Sequence, residues 1–166
     1  MVFCLRQKGH IISDKVMSDF NNQLATIAIE VHGVLNRYIA VHNHLFKPSL
    51  RRVIALPLIF KPIDFKQLHS QSSEFIRELE EHSNHLKELK PQAAQSEFAN
   101  TLSEFCSALI ETISLLKEIT YQLDQRSGGM GDYSLSRHNE LVDLYYESVK
   151  RYSSIGFKLN KYIIQV

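Results

Sequence analysis

Four stretches of the chain place apolar residues at alternating steps of three and four, the spacing that returns side chains to one face of an α-helix. The first stripe reads Phe20, Leu24, Ile27, Val31, Val34, Tyr38, Val41, Leu45. The second reads Phe65, Leu68, Ser72, Phe75, Leu79, His82, Leu86, Leu89, and the third Phe98, Leu102, Phe105, Leu109, Thr112, Leu116, Ile119, Leu123. The fourth reads Leu135, His138, Val142, Tyr145, Val149, Tyr152, Gly156, Leu159, Ile163. These stripes predict helices over about 18–47, 62–90, 93–125 and 134–164, each on the order of 45 Å long. Ser13 or Ser18 is a candidate cap for the first, and Pro48 and Pro91 end the first and second.

The expected links, 48–61, 90–92 and 126–133, are short enough to make sequential helices antiparallel neighbours. The expected fold is therefore all-α, an antiparallel up-down four-helix bundle in one domain spanning 1–166, with residues 1–12 a candidate loosely ordered extension. Arg126-Ser-Gly-Gly-Met-Gly-Asp132 reads as a loop; no strand precedes it and no Gly-Lys-Ser/Thr follows, so it is not a phosphate-binding loop. Val53-Ile-Ala-Leu-Pro-Leu-Ile-Phe60 is the anomalous segment. It either covers the open end of the bundle, the favoured reading, or presents an apolar patch to a partner.

Several stripe positions are not aliphatic. Ser72, His82, Thr112 and His138, with Tyr38, Tyr145 and Tyr152, need hydrogen-bond partners if buried, and are expected to satisfy one another across the bundle. A pocket between helices or a tyrosine-lined dimer interface on the last helix would use the same residues. Gly33 and Gly156 fall inside helices, where glycine is unfavourable, and so predict close helix approach or a local kink.

Composition narrows the function classes. Six glycines and four prolines in 166 residues are few for an all-β fold, and the formal net charge of +1 gives no global pull toward nucleic acid or membrane. No uninterrupted apolar run reaches the roughly 18–20 residues that span a bilayer, and Met1–His10 does not read as a secretory signal. Cys4 and Cys106 have no metal-site spacing and are expected as free thiols, with Cys106 a small core residue. A cytoplasmic protein with no membrane span is the expectation.

Charge changes the picture locally. No acid occurs between Val31 and Ile63, whereas Arg37, Lys47, Arg51, Arg52 and Lys61 are basic. In an up-down bundle Arg126, Arg137 and His138 join them at one pole, with His42 and His44, and Asp64, Asp124 and Asp132 are the nearby acids that would offset the charge. Such a pole suits phosphates or an acidic protein surface, through Coulomb attraction and bidentate arginine hydrogen bonds. The expected binding residues are Arg37, Arg51, Arg52, Arg137 and His138.

Within this region Arg37-Tyr-Ile-Ala-Val-His42 resembles the Arg-x4-His motif of the HEPN superfamily, small helical bundles that are often metal-independent ribonucleases. The resemblance covers six residues; Arg37 with His44 fits a looser spacing. It implies an arginine holding the scissile phosphate and a histidine serving as acid or base. Five residues apart on a helix, Arg37 and His42 stand about 140° apart around its axis.

Glu78 with His82 and Glu81 with His85 share i,i+4 spacing, but the carboxylates that a bundle di-metal site needs are missing. Glu74, Glu78, Glu80, Glu81 and Glu88 read instead as a solvated face laced with Arg77, Lys87 and Lys90. No metal or cofactor is expected. The favoured function is a non-enzymatic interaction protein that engages a macromolecular partner through the basic pole around Arg37–Lys61. That partner is expected to be a protein, with nucleic acid and a homodimer as further candidates; the competing class is a HEPN-like ribonuclease using Arg37 with His42 or His44.

Overall fold

The computed structural model of the chain describes residues 4–46, 63–89, 97–129 and 134–164, and the side chains of these from Phe20 to Tyr162. Four helices account for nearly all of them: α1 (Cys4–Phe46), α2 (Phe65–Glu88), α3 (Glu97–Ser127) and α4 (Leu135–Ile164). Cross-helix contacts give the directions. Arg37 and Glu30 of α1 meet Glu78 and His82 of α2, so the residue numbers run oppositely and the pair is antiparallel. Phe98 meets Tyr162 and Phe105 meets Tyr152 between α3 and α4, again in opposite order. Tyr38 against Tyr152, and Phe46 against Tyr146, close the ring between α1 and α4. This is the antiparallel up-down four-helix bundle.

Local chemistry sets the ends. Asp64 caps α2 by accepting from the Gln67 N–H at 2.9 Å. Ser134 caps α4, its hydroxyl facing the Arg137 N–H and its carbonyl accepting from His138. α3 runs two residues past its expected end and closes on Gly129, whose φ of 66° and N–H bond to the Arg126 carbonyl form a glycine C-cap. α1 stops two residues before Pro48 but starts at Cys4 rather than near Ser18. Residues 4–12, read from the sequence as a candidate extension, thus belong to the helix. Between Cys4 and Ser18 no proline intervenes, and Leu5, Arg6, Gln7, Lys8 and Lys15 favour helix. The segment Val53–Phe60, with Lys47, Arg51, Arg52 and Lys61, lies outside the described residues.

Every member of the first predicted stripe, from Phe20 to Leu45, is buried, and the second and third stripes supply most of the remaining core. α4 departs from expectation. Its buried line runs through Tyr145, Ser148, Ile155 and Leu159, while Leu135 is 62% exposed and Val142 and Val149 are only partly covered. The apolar surface of α4 is wider than one stripe, and the neighbouring helices choose which part is buried. α2 and α3, and α3 and α4, pack closely along their lengths; α1 sits more loosely, and its backbone approaches α4 least among the neighbouring pairs.

The polar stripe positions resolve in two ways. Ser72 and Thr112 donate to the carbonyls of Leu68 and Ala108 one turn back in their own helices, so they need nothing across the bundle. His82 instead faces Glu30, with Nδ1 3.4 Å from Oε2. The two glycines also part company. A Cβ at Gly156 would stand 3.1 Å from Cε2 of Phe105, so close approach explains it; at Gly33 nothing lies within 4 Å, so close approach does not.

By length and composition, Phe20–Phe46 of α1 is apolar enough to cross a membrane, its mean hydropathy reaching 1.2 over an 18-residue window. A test for uninterrupted apolar runs misses this, because small and uncharged polar residues break the run without lowering the average much. In the bundle the stripe of this segment is buried, and Asn22, Gln23, His32 and Asn36 face outward.

Candidate functional site

Arg37 stands beside the α1 stripe on the side that meets α2. Its guanidinium holds Glu78 with two nitrogens, Nη1 to Oε1 at 3.0 Å and Nη2 to Oε2, and lies 5.2 Å from the centre of the Phe75 ring. The hydrogen bonds to Glu78 raise the arginine pKa and lower that of the carboxyl, against the opposing effect of partial burial. The fork is thereby committed to a carboxylate rather than aimed at a cleft.

His42 points the other way. Its Nδ1 is 2.6 Å from the Tyr145 hydroxyl on α4, and the same hydroxyl is 2.6 Å from that of Tyr38. The structure therefore does not bring Arg37 and His42 to one reacting position: they address α2 and α4, as the angular offset along the helix predicts. His44 is exposed on a third side.

The Tyr38–Tyr145–His42 chain is the most organised polar group in the described core. Tyr38 and Tyr145 are fully buried; Phe46 stacks on Tyr145, and Tyr152 stands edge-on to Tyr38 and is itself met by Phe105. Burial is the main cause that pushes both phenols far above their ordinary range, so both keep their protons and act as hydrogen-bond donors as well as acceptors. The Tyr145 hydroxyl thus stands within hydrogen-bond distance of both the Tyr38 hydroxyl and the His42 ring nitrogen, linking α1 to α4 at two points. Each interior hydroxyl is then satisfied, and α1 is fixed in register on α4 where backbone packing is thinnest. Seam tyrosines announced this contact in the sequence. His42 sits one position off the stripe, at the core edge, and its partner on α4 is set by the tertiary packing.

The pole where α1 and α3 end and α2 and α4 begin carries the remaining expected residues. Arg126 and Arg137 are exposed. His138 is half-buried; loss of solvent, then the nearby Arg126 charge, hold its pKa below the ordinary 6.5 and so favour its neutral form. Asp64 is engaged in its cap and Asp124 is partly covered. In this half of the bundle, on different sides of it, large apolar side chains stand open to solvent: Tyr121, Leu135, Leu144 (54% exposed) and Tyr146. Arg137 and Leu144, seven residues apart, share one face of α4. Arg51 and Arg52 lie outside the described residues.

The acidic face of α2 is more engaged than its sequence suggests. Glu78 is partly buried against Arg37, and Arg77 pairs with Glu81 at 2.6 Å. Among the described residues no three His, Cys, Asp or Glu side chains converge as metal ligands would. Cys106 is a buried free thiol whose pKa is pushed up to about 12 by burial, far from the thiolate character that a nucleophile needs. A recess of about 480 Å³ between α2 and α3, lined by Glu80, Ser83, Asn84, Lys87, Ser107 and Ile110, is open and polar, unlike an enclosed ligand pocket. No protein family, curated protein or solved structure matches the chain, so the likeness of Arg37–His42 to the HEPN motif rests on those six residues.

Proposed function

We propose that the protein is a non-enzymatic helical-bundle interaction module that engages a protein partner through the basic region Arg37–Lys61 and the pole where α3 ends and α4 begins. One observation carries this reading. Leu144, 54% exposed, shares one face of α4 with the exposed Arg137, and Tyr121 and Arg126 are exposed toward the end of α3 at the same pole. Apolar contact area beside arginine is the composition of an interface core, and the arginines favour an acidic partner surface. Arg51, Arg52 and His138 belong to the same proposed region. Binding in the cytoplasm fits the free thiol of Cys106. A homodimer is a further part of the proposal.

The ribonuclease reading has no comparable support, because Arg37 is held by Glu78 and His42 by Tyr145. Affinity capture from the source cells, with wild type and an Arg126→Glu/Arg137→Glu/Leu144→Ser variant side by side, tests the proposal. A specific partner retained by wild type and lost by the variant is expected; equal capture by both overturns the pole as the contact region. RNA cleavage by the wild type that is abolished by Arg37→Ala and by His42→Ala would overturn the non-enzymatic reading.

A further inference from the structure

α4 carries a second solvent-open apolar line, distinct from the face it buries. Leu135, Tyr146 and Phe157 are exposed by 62, 41 and 65%. They follow one another at intervals of eleven residues, which on an α-helix is three turns with a residual rotation of only about 20°. The three side chains therefore stand in one row about 33 Å long. Val142 and Val149, partly covered, flank the row, and Asn139 and Ser153 fill it between the large residues. Tyr146 also touches Phe46, which places the row at the edge of α4 nearest α1, where the bundle is least tightly closed.

The row has a symmetry that selects its occupant. Counted outward from Tyr146, Leu135 and Phe157 are eleven residues away on either side, and Asn139 and Ser153 are seven away. The same helix laid antiparallel across the row, with Tyr146 on a twofold axis, sets Leu135 against the partner's Phe157 and Asn139 against the partner's Ser153. Large apolar thus meets large apolar, and polar meets polar. The charges agree with this register. Asp143 and Lys150, both exposed on the same flank of the row, have no ion-pair partner among the described residues. In an antiparallel helix pair, residues on matching flanks face each other, so Asp143 falls within one residue of the partner's Lys150. Twofold symmetry makes that attraction twice. In a parallel pair opposite flanks face each other, so Asp143 and Lys150 would lie against the partner's Val142 and Val149 flank and would gain no ion pair.

We infer that α4 is the homodimerisation helix, and that a second copy of this chain packs antiparallel on Leu135, Tyr146 and Phe157 with Tyr146 on the dyad. This rests on the reading of the protein as an interaction module, and it names one partner of a face separate from Arg137 and Leu144, which lie on the opposite side of α4.

Sedimentation velocity of the full chain over a concentration series reads the assembly, with far-UV circular dichroism confirming that each variant keeps its helices. A concentration-dependent monomer–dimer equilibrium is expected for wild type. Tyr146→Glu, which sets two carboxylates together on the axis, leaves monomer at every concentration. Asp143→Lys weakens the dimer by about tenfold, and the double variant Asp143→Lys/Lys150→Asp regains wild-type association. Register is read by a short bis-maleimide in a Cys4→Ser background, where Cys106 is buried. Tyr146→Cys cross-links to itself; Phe157→Cys does not, but cross-links when mixed with Leu135→Cys. Wild type that stays monomeric overturns the inference and leaves the pole to its own capture experiment. So does a dimer indifferent to Tyr146→Glu, or self-cross-linking of Phe157→Cys.

Discussion

Two mid-helix glycines provide the sharpest check on the packing described here, since their substitution by alanine should have opposite signs. Glycine in a helix interior is about 0.8–1 kcal/mol less favourable than alanine, through backbone entropy. At Gly33 on α1 a new Cβ meets nothing within 4 Å, so Gly33→Ala should recover most of that difference, about 0.5–1 kcal/mol of added stability. At Gly156 the same methyl group would stand 3.1 Å from Cε2 and 3.7 Å from Cδ2 of Phe105. Phe105 has little room to retreat: it is 5% exposed and its ring is edge-on to Tyr152 at 6.1 Å. Overpacking of this kind costs about 1–3 kcal/mol, which cancels or exceeds the helical gain. Gly156→Ala should therefore be neutral to about 2 kcal/mol destabilising, and should lie below Gly33→Ala by about 0.5–3 kcal/mol. Urea denaturation followed at 222 nm gives both values from midpoints at unchanged slope. If Gly156→Ala stabilises as much as Gly33→Ala, α3 and α4 do not approach at Phe105 as described and the argument fails.

Other expectations follow from the polar contacts. Tyr145→Phe leaves the buried Tyr38 hydroxyl without the partner at 2.6 Å and should cost about 1–3 kcal/mol; adding Tyr38→Phe should cost clearly less than the sum of the two, and strict additivity in the double-mutant cycle would disprove the coupling. Arg37→Gln breaks a half-exposed pair and should cost about 0.5–1 kcal/mol at low salt, shrinking as salt is added, with no change if the pair does not persist in solution. His138 has a folded pKa below its ordinary 6.5, so the unfolded chain takes up its proton first. The stability it contributes is complete above that value and declines as pH falls through 6.5 toward the lower folded value. His138→Gln should remove that part of the acid sensitivity in urea titrations at pH 5.5 and 7.5, and an unchanged pH dependence would contradict the assignment.

The sequence by itself determined the helices and most of the core, because a helix can bury only what its own period places on one face. Phe20 through Leu45 of α1 could be read in order without knowing what covers them. Turn chemistry was legible in part: the loop composition of Arg126–Asp132 marked the end of α3 to within two residues, whereas Ser18, offered as a cap, lies inside α1, and the caps Asp64 and Ser134 did not stand out. Tertiary structure decided everything that depends on which neighbour a side chain meets. Gly33 and Gly156 are alike in the chain, and only the position of Phe105 separates them. Arg37 and His42 make a suggestive pair in the sequence, yet α2 claims one through Glu78 and α4 the other through Tyr145. α4 presents more apolar surface than one core can cover. Which part is buried, and that Leu135, Tyr146 and Phe157 are left outside, was settled by where α1 and α3 stand. Helical periodicity is a property of one segment, whereas a site is a relation between segments, and no single stripe encodes that relation.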